Sequence, residues 1–285
     1  MSTTSCPSSQ GIRKRAGFTL MEVMVSSALT LVILAMLFGI LMGAMNAWQT
    51  GSSRLQENAD ARMALDLIAR DLQSMVVRQT TIDQEWLVSG PVVTPGDPTG
   101  TSNPHTSNWL MFFSPSLDRD AGQEGDIVAV SYRVGYQDPM TNNTDSNYKL
   151  FGLYKQMEST TNTFLNVLGL QDIMADHWMA ADTLNASGLI IPNVVDFSIN
   201  WQIRQQNGDI GYEPEVVRLG NTLTTSTVGN PLRIVAADIS LTVVNDAGAK
   251  RLQLLERTGN LGQNQLNDVI TQFGRVFTTR VKIEY

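Results

Sequence analysis

Glu22 is the first acidic residue of the chain, and none follows until Glu57. Between them, from Val23 to Ser53, no residue is charged. A carboxylate costs about 2.5–3.5 kcal/mol at the centre of a bilayer and less at its edge, so a plain anchor has no use for one here. An ammonium partner would remove most of that cost, because opposite charges in apolar surroundings stabilise each other. Cutting the chain between Gly17 and Phe18 would supply such a partner: a new amine on Phe18, four residues before Glu22. If that amine belongs to a neighbouring subunit, the pair becomes an assembly signal that sets axial register.

The other groups able to do chemistry are sparse. The two histidines are His105, in a loop-like stretch, and His177, beside Asp176 in a candidate helix. A zinc site would need both of them plus carboxylates, because the single cysteine, Cys6, lies before the apolar run. No Gly-x-Ser-x-Gly turn is present to carry a nucleophile. Asp118, Asp120, Glu124 and Asp126 crowd one polar turn and are weak calcium candidates. The EF-hand spacing fails, since its twelfth position falls on Ala129, and solvated turns have the same composition. Trp86, Trp109, Trp178 and Trp201 read as core or subunit contacts. No catalytic residue is assigned, so the chain reads as a non-enzyme.

The apolar run fixes the topology. About 20 apolar residues cross a bilayer as a helix, which alone satisfies its own backbone in lipid. Arg13, Lys14 and Arg15 place the preceding segment in the cytoplasm. The residues after about 50 then lie outside the bacterial inner membrane, periplasmic or extracellular, on a single-pass anchor. Two other readings compete: a conventional secretory signal cleaved near Ala44–Ala47, and an uncleaved anchor. Neither uses Glu22.

The run Gly17-Phe18-Thr19-Leu20-Met21-Glu22, after a short basic leader and before a long apolar stretch, resembles the type III signal of type IV prepilins and type II secretion pseudopilins. The resemblance covers residues 11–54. It implies that prepilin peptidase cuts after Gly17 and N-methylates Phe18, with Glu22 as the acidic assembly position. It implies a pilin-like α+β fold: a long N-terminal helix, membrane-spanning in its first half, on a head with a mainly antiparallel sheet. Its implied partners are other pilin or pseudopilin subunits, the inner-membrane assembly platform and the lipid bilayer. Ala69-Arg70-Asp71-Leu72-Gln73 resembles the helix of minor pseudopilin J and PilW-like prepilins. The corresponding role is a structural subunit of a pseudopilus or type IV pilus-like filament. A surface adhesin or ligand-binding protein on the same anchor is the alternative.

These groups must be positioned by the elements around them. The expected parts are a leader (1–17), an assembly half of the helix (18–50), an amphipathic half (51–78) and a head (79–285). Ala61, Leu65, Ile68, Leu72 and Met75 recur at one-face helical spacing, so a helix from about Phe18 to Val77, roughly 90 Å, is expected. Residues 89–108 read as loop. Strands are expected at Trp109–Phe113, Asp126–Tyr136, Tyr148–Met157, Val194–Arg204, Arg233–Val244 and Val276–Tyr285. Asn245–Gly248 reads as a turn into a further strand, Lys250–Leu255; Leu168–Ala181 and Asn264–Phe273 read as helices.

The chain has 285 residues, is 42% hydrophobic and only 16% charged, where about a quarter is usual for a soluble protein. Membrane attachment and a polar, uncharged head surface both lower that share. The net charge is −7; without the three positive charges of the leader it becomes −10. No basic stripe follows residue 15, so no nucleic-acid partner is expected.

Overall fold

The computed structural model describes residues 19–77, 84–99, 104–116, 125–141, 148–168, 173 and 184–283. Two compact units result, Met1–Ser52 and Ser53–Tyr285, and helix α1 (Leu20–Gln73) contributes to both.

In the first unit α1 is apolar all round and its side chains are exposed from Leu20 to Gln49. It is long and apolar enough to cross a membrane. Three of its hydroxyls are satisfied inside the helix: Ser26 Oγ donates to the Val23 carbonyl (3.0 Å), Ser27 Oγ to Met24 (2.9 Å) and Thr30 Oγ1 to Ser26 (2.7 Å). Such back-bonding removes the need for water, as a helix in lipid requires.

The second unit is built around the remaining turns of α1. Its elements follow in the order β1 (Glu85–Val93), β2 (Thr106–Pro115), β3 (Ile127–Gln137), β4 (Leu150–Met157), the single turn α2 (Thr160–Asn162), β5 (Leu189–Pro192) and β6 (Val194–Gln205). Next come β7 (Ile210–Glu213), β8 (Val216–Leu219), β9 (Thr222–Thr225), β10 (Pro231–Val244), α3 (Asp246–Arg257), α4 (Gln263–Phe273) and β11 (Gly274–Lys282). Every strand pair is antiparallel. The strands form two sheets, of order β5-β4-β3-β2-β1-β8-β9 and β11-β10-β6-β7. The expected α+β architecture, a long N-terminal helix with a mainly antiparallel head, is therefore present, with its strands divided between two layers.

The main core joins α1 to both sheets. Ala61, Leu65, Ile68, Leu72 and Met75 are all buried there, as their spacing predicts, together with Ala64. They meet Leu110 and Phe112 of β2 and Phe197, Ile199, Trp201 and Ile203 of β6. A smaller core covers the opposite face of the first sheet, where Trp86, Trp109, Met111 and Phe113 pack. Two-sided burial explains why β2 reads as an unbroken apolar run instead of alternating.

Polar bonds tie the sheets together. His105 Nε2 lies 2.6 Å from the Val195 carbonyl, and Ser107 of β2 exchanges hydrogen bonds of 3.0 and 2.9 Å with the Phe197 backbone of β6. At the other end Glu213, buried at the end of β7, is clasped by residues 226–228, between β9 and β10. It accepts from Ser226 Oγ, from Thr227 N and Oγ1 (both 2.8 Å) and from Val228 N (2.9 Å).

Three expectations need correction. Residues 89–108 are not all loop: β1 runs to Val93 and β2 begins at Thr106. Ser89-Gly90-Pro91 looks like a breaker, yet tertiary context uses it. A Cβ on Gly90 would lie 3.2 Å from Glu215 Cγ, so a small residue suits the approach of the following segment. Pro91 lies past the last β8 pairing, Ser89 with Val216, where β1 has one partner strand and a missing N–H is tolerated. Second, Asn245–Gly248 is not a hairpin turn. Asn245 is the N-cap of α3, accepting from Gly248 N at 2.9 Å, and Lys250–Leu255 lies inside that helix. Third, α1 ends at Gln73, short of Val77, and the Val76 amide bonds instead to the Phe113 carbonyl at 2.8 Å. The helix expected at Leu168–Ala181 lies outside the described residues, Leu168 and Ile173 excepted. Asn264–Phe273 is helical as expected, within α4.

Burial raises the Glu213 carboxyl, but the hydrogen bonds from Ser226, Thr227 and Val228 outweigh it and hold the group down at about 2, against an ordinary 4.5. A depressed folded value contributes stability that is complete above pH about 4.5 and fades as pH falls toward about 2. Glu213→Gln is expected to lose about 2–3 kcal/mol at neutral pH, since an amide NH2 would face backbone donors. It should also flatten the acid limb of the unfolding profile, measured by urea denaturation at stepped pH.

Candidate functional site

The residues that carry the strongest sequence signal lie at the start of α1. Thr19 precedes the helix and Glu22 occupies its first turn. The Glu22 amide donates to the Thr19 carbonyl (3.0 Å) and faces Thr19 Oγ1 (3.3 Å). Thr19-x-x-Glu22 is therefore a capping-box sequence at the helix start. A carboxylate in a first turn is also favoured by the helix dipole. The Thr-x-x-Glu pattern before an apolar run is the sequence signal that marks this helix start. It makes the carboxylate compatible with the helix without supplying the counter-charge that lipid would demand.

Gly17, Phe18, Arg13, Lys14 and Arg15 lie outside the described residues, as do Asp118, Asp120, Glu124 and His177. Of the acidic turn only Asp126 is described; it is exposed, and its carbonyl accepts from Ser116 N at 2.8 Å. No group of three or more His, Cys, Asp or Glu side chains suited to a metal occurs among the described residues. His105 is buried and engaged with the Val195 carbonyl, which fixes the loop before β2 onto β6.

The structure gives the Ala69–Gln73 segment a definite task. Leu72 points into the core, while Asp71 turns toward the first sheet, where Tyr132 donates to it and Lys155 pairs with it at 2.7 Å. Burial first, and then the Asp71 charge and hydrogen bond, push the Tyr132 phenol far up, so it remains a neutral donor. Asp71 thus pins the last turn of α1 to β3 and β4. A parallel clamp holds α3: Glu256 accepts from Tyr136 (2.6 Å) and pairs with Lys149 (2.5 Å). Sequence offered no signal for these partners; the phenols lie 61 residues from Asp71 and 120 from Glu256. Each clamp is an acid on a helix reaching a phenol on β3 and an ammonium on or just before β4. Nothing in either cluster resembles a nucleophile and base poised to react.

Residues 12–45 match the model of the prokaryotic N-terminal methylation motif. Among solved structures, a type IV-like pilin from Thermus thermophilus is similar, at 10% identity and a TM-score of 0.35, over 79% of this chain and 95% of that one. No curated protein matches. The chain is prepilin-like: a methylation-motif N-terminus continues into a helix, and that helix is seated on an antiparallel head.

Asp71→Ala is expected to lower stability by about 2–3 kcal/mol, because it leaves Lys155 and Tyr132 without their shared acceptor in a largely dry setting. Tyr132→Phe removes one donor only and should cost about 1 kcal/mol. Chemical unfolding of the detergent-solubilised chain, followed by tryptophan fluorescence, separates the two.

Proposed function

We propose that this chain is a minor pseudopilin or minor pilin, a structural subunit of a type II secretion pseudopilus or type IV pilus-like filament. Prepilin peptidase cleaves it after Gly17 and methylates the new amine of Phe18. Before assembly it sits in the bacterial inner membrane as a single-pass protein, its basic leader cytoplasmic and its head outside. Assembly draws on the inner-membrane platform and on other pilin-type subunits. The observation that carries the reading is the methylation motif over residues 12–45, with its lone carboxylate Glu22 ahead of 31 uncharged positions.

The physical logic is a charge left incomplete in each subunit. Processing gives every mature helix an ammonium at its first residue and a carboxylate four positions on. An ion pair between neighbours in apolar surroundings is strong only when both charges are present and aligned. Register between subunits then follows from pairing, while the non-directional apolar contacts supply adhesion. The head supports a minor role: it is large, and its helix carries the Asp71 clamp in the segment that resembles minor pseudopilins.

Mass spectrometry of the native protein should find an N-terminus at methylated Phe18; an intact Met1 or a start after Ala47 overturns the processing step. Glu22→Ala should leave membrane insertion intact and reduce incorporation into filaments at least tenfold. Thr19→Ala is the control for a purely local capping role. If it reduces incorporation as much as Glu22→Ala, the inter-subunit pairing is wrong.

A further inference from the structure

The second sheet ends on β11, which pairs with β10 along one side only. Its other side is a nine-residue edge with no partner strand among the described residues. Charge gathers at this edge. Inward of it, across β11, β10 and β6, a surface groove of ≈490 Å³ is lined by Arg204 of β6, Arg233 of β10, and Arg280 and Lys282 of β11. Asp238 of β10 engages Arg280 at 2.6 and 2.9 Å. No described carboxylate pairs with Arg204, Arg233 or Lys282, and Arg204 Nε is buried with no hydrogen-bond partner. This concentration of positive charge stands out on a chain whose net charge without its leader is −10.

We infer that the groove and the β11 edge together dock an acidic, extended segment of a partner protein, which adds to the sheet as a fifth strand. Side chains of adjacent antiparallel strands lie about 4.5–5.5 Å apart on one face. Acids at alternate positions of the incoming strand therefore fall beside Arg280 and Lys282, on the same face of β11. Arg233 and Arg204 lie one and two strands further in, on β10 and β6, and act only through their field, which salt screens over roughly 8–10 Å. An open strand edge supplies the backbone bonds and the cations supply the sign.

A polypeptide fits better than a nucleic acid or another long polyanion. A duplex carries a charge every ~1.7 Å and would extend well past the groove over a chain whose net charge without its leader is −10. A short acidic strand meets only the local field. The remaining backbone N–H and C=O groups of β11 also match a polypeptide main chain and not a phosphate chain. The inference names the chemistry of a neighbour in the proposed filament and takes only that neighbour's identity from the filament reading. The groove itself is tested alone.

The test uses the full chain in detergent and a fluorescent six-residue peptide alternating glutamate with threonine. Saturable binding is expected, weakening as salt rises. Arg233→Gln combined with Lys282→Gln should weaken it about tenfold, and neither position lies in the core. A peptide of the same sequence, N-methylated on the amides that would face β11, should also bind at least tenfold more weakly, since its charge is kept and its pairing removed. Binding indifferent to the double variant overturns the cationic groove. Equal binding of the N-methylated peptide overturns strand addition. Equal competition by a single-stranded oligonucleotide of the same charge assigns the groove to polyanions in general and overturns the polypeptide partner. Loss of filament incorporation in Glu22→Ala with peptide binding retained would separate the two proposals.

Discussion

Burial of one helical stripe organises the head. Ala61, Ala64, Leu65, Ile68, Leu72 and Met75 turn a single face of α1 into a core that both sheets share. Removing a Leu, Ile or Met side chain from water is worth about 1.5–3 kcal/mol, so the four large members of this stripe dominate the seating of the helix. The two alanines set closeness, because small side chains let other elements approach the helix. Apolar contact is non-directional, however, and a stripe could slide or rotate in its seat. Asp71 supplies direction. Its bonds to Tyr132 and Lys155 fix rotation and height together, since a displacement would leave an acid, a phenol and an ammonium partly desolvated and unpaired.

The same division of labour recurs elsewhere in the head. Phe197, Ile199, Trp201 and Ile203 give β6 its adhesive inner face. His105 and Ser107 decide which backbone groups that strand meets. Glu213 does likewise for residues 226–228. His105, Ser107 and Glu213 are buried, and each is hydrogen-bonded. That is the condition under which buried polarity adds specificity and not just cost. The first unit follows a different rule. Its helix is apolar on all sides with one acid, Glu22, at its start, and Ser26, Ser27 and Thr30 are bonded within the helix.

Much of this was readable in one dimension. The amphipathic stripe was legible because helical period survives in sequence, and all five of its predicted members are buried. The alternating inner face of β6 was legible for the equivalent reason at period two. Errors came where local composition and tertiary demand disagree. Ser89-Gly90-Pro91 has the chemistry of a loop, yet sits in a strand because its neighbours need a small residue and spare a proline. Asn245-Asp246-Ala247-Gly248 is ambiguous on its own. The same residues serve a hairpin or a helix cap, and the amphipathic residues beyond them decide.

The sequence by itself determined the membrane-type helix, the methylation motif and the acid at its head, because each is a contiguous pattern whose physics is local: length, apolarity, charge and spacing. Only the tertiary structure decided the division of strands into two sheets, the partners of Asp71, Glu213 and Glu256, and the cationic edge at β11. Those depend on which distant segments meet, with partners up to 120 residues apart. Pairing at that separation is selected by the joint packing of the whole core, which no local window contains.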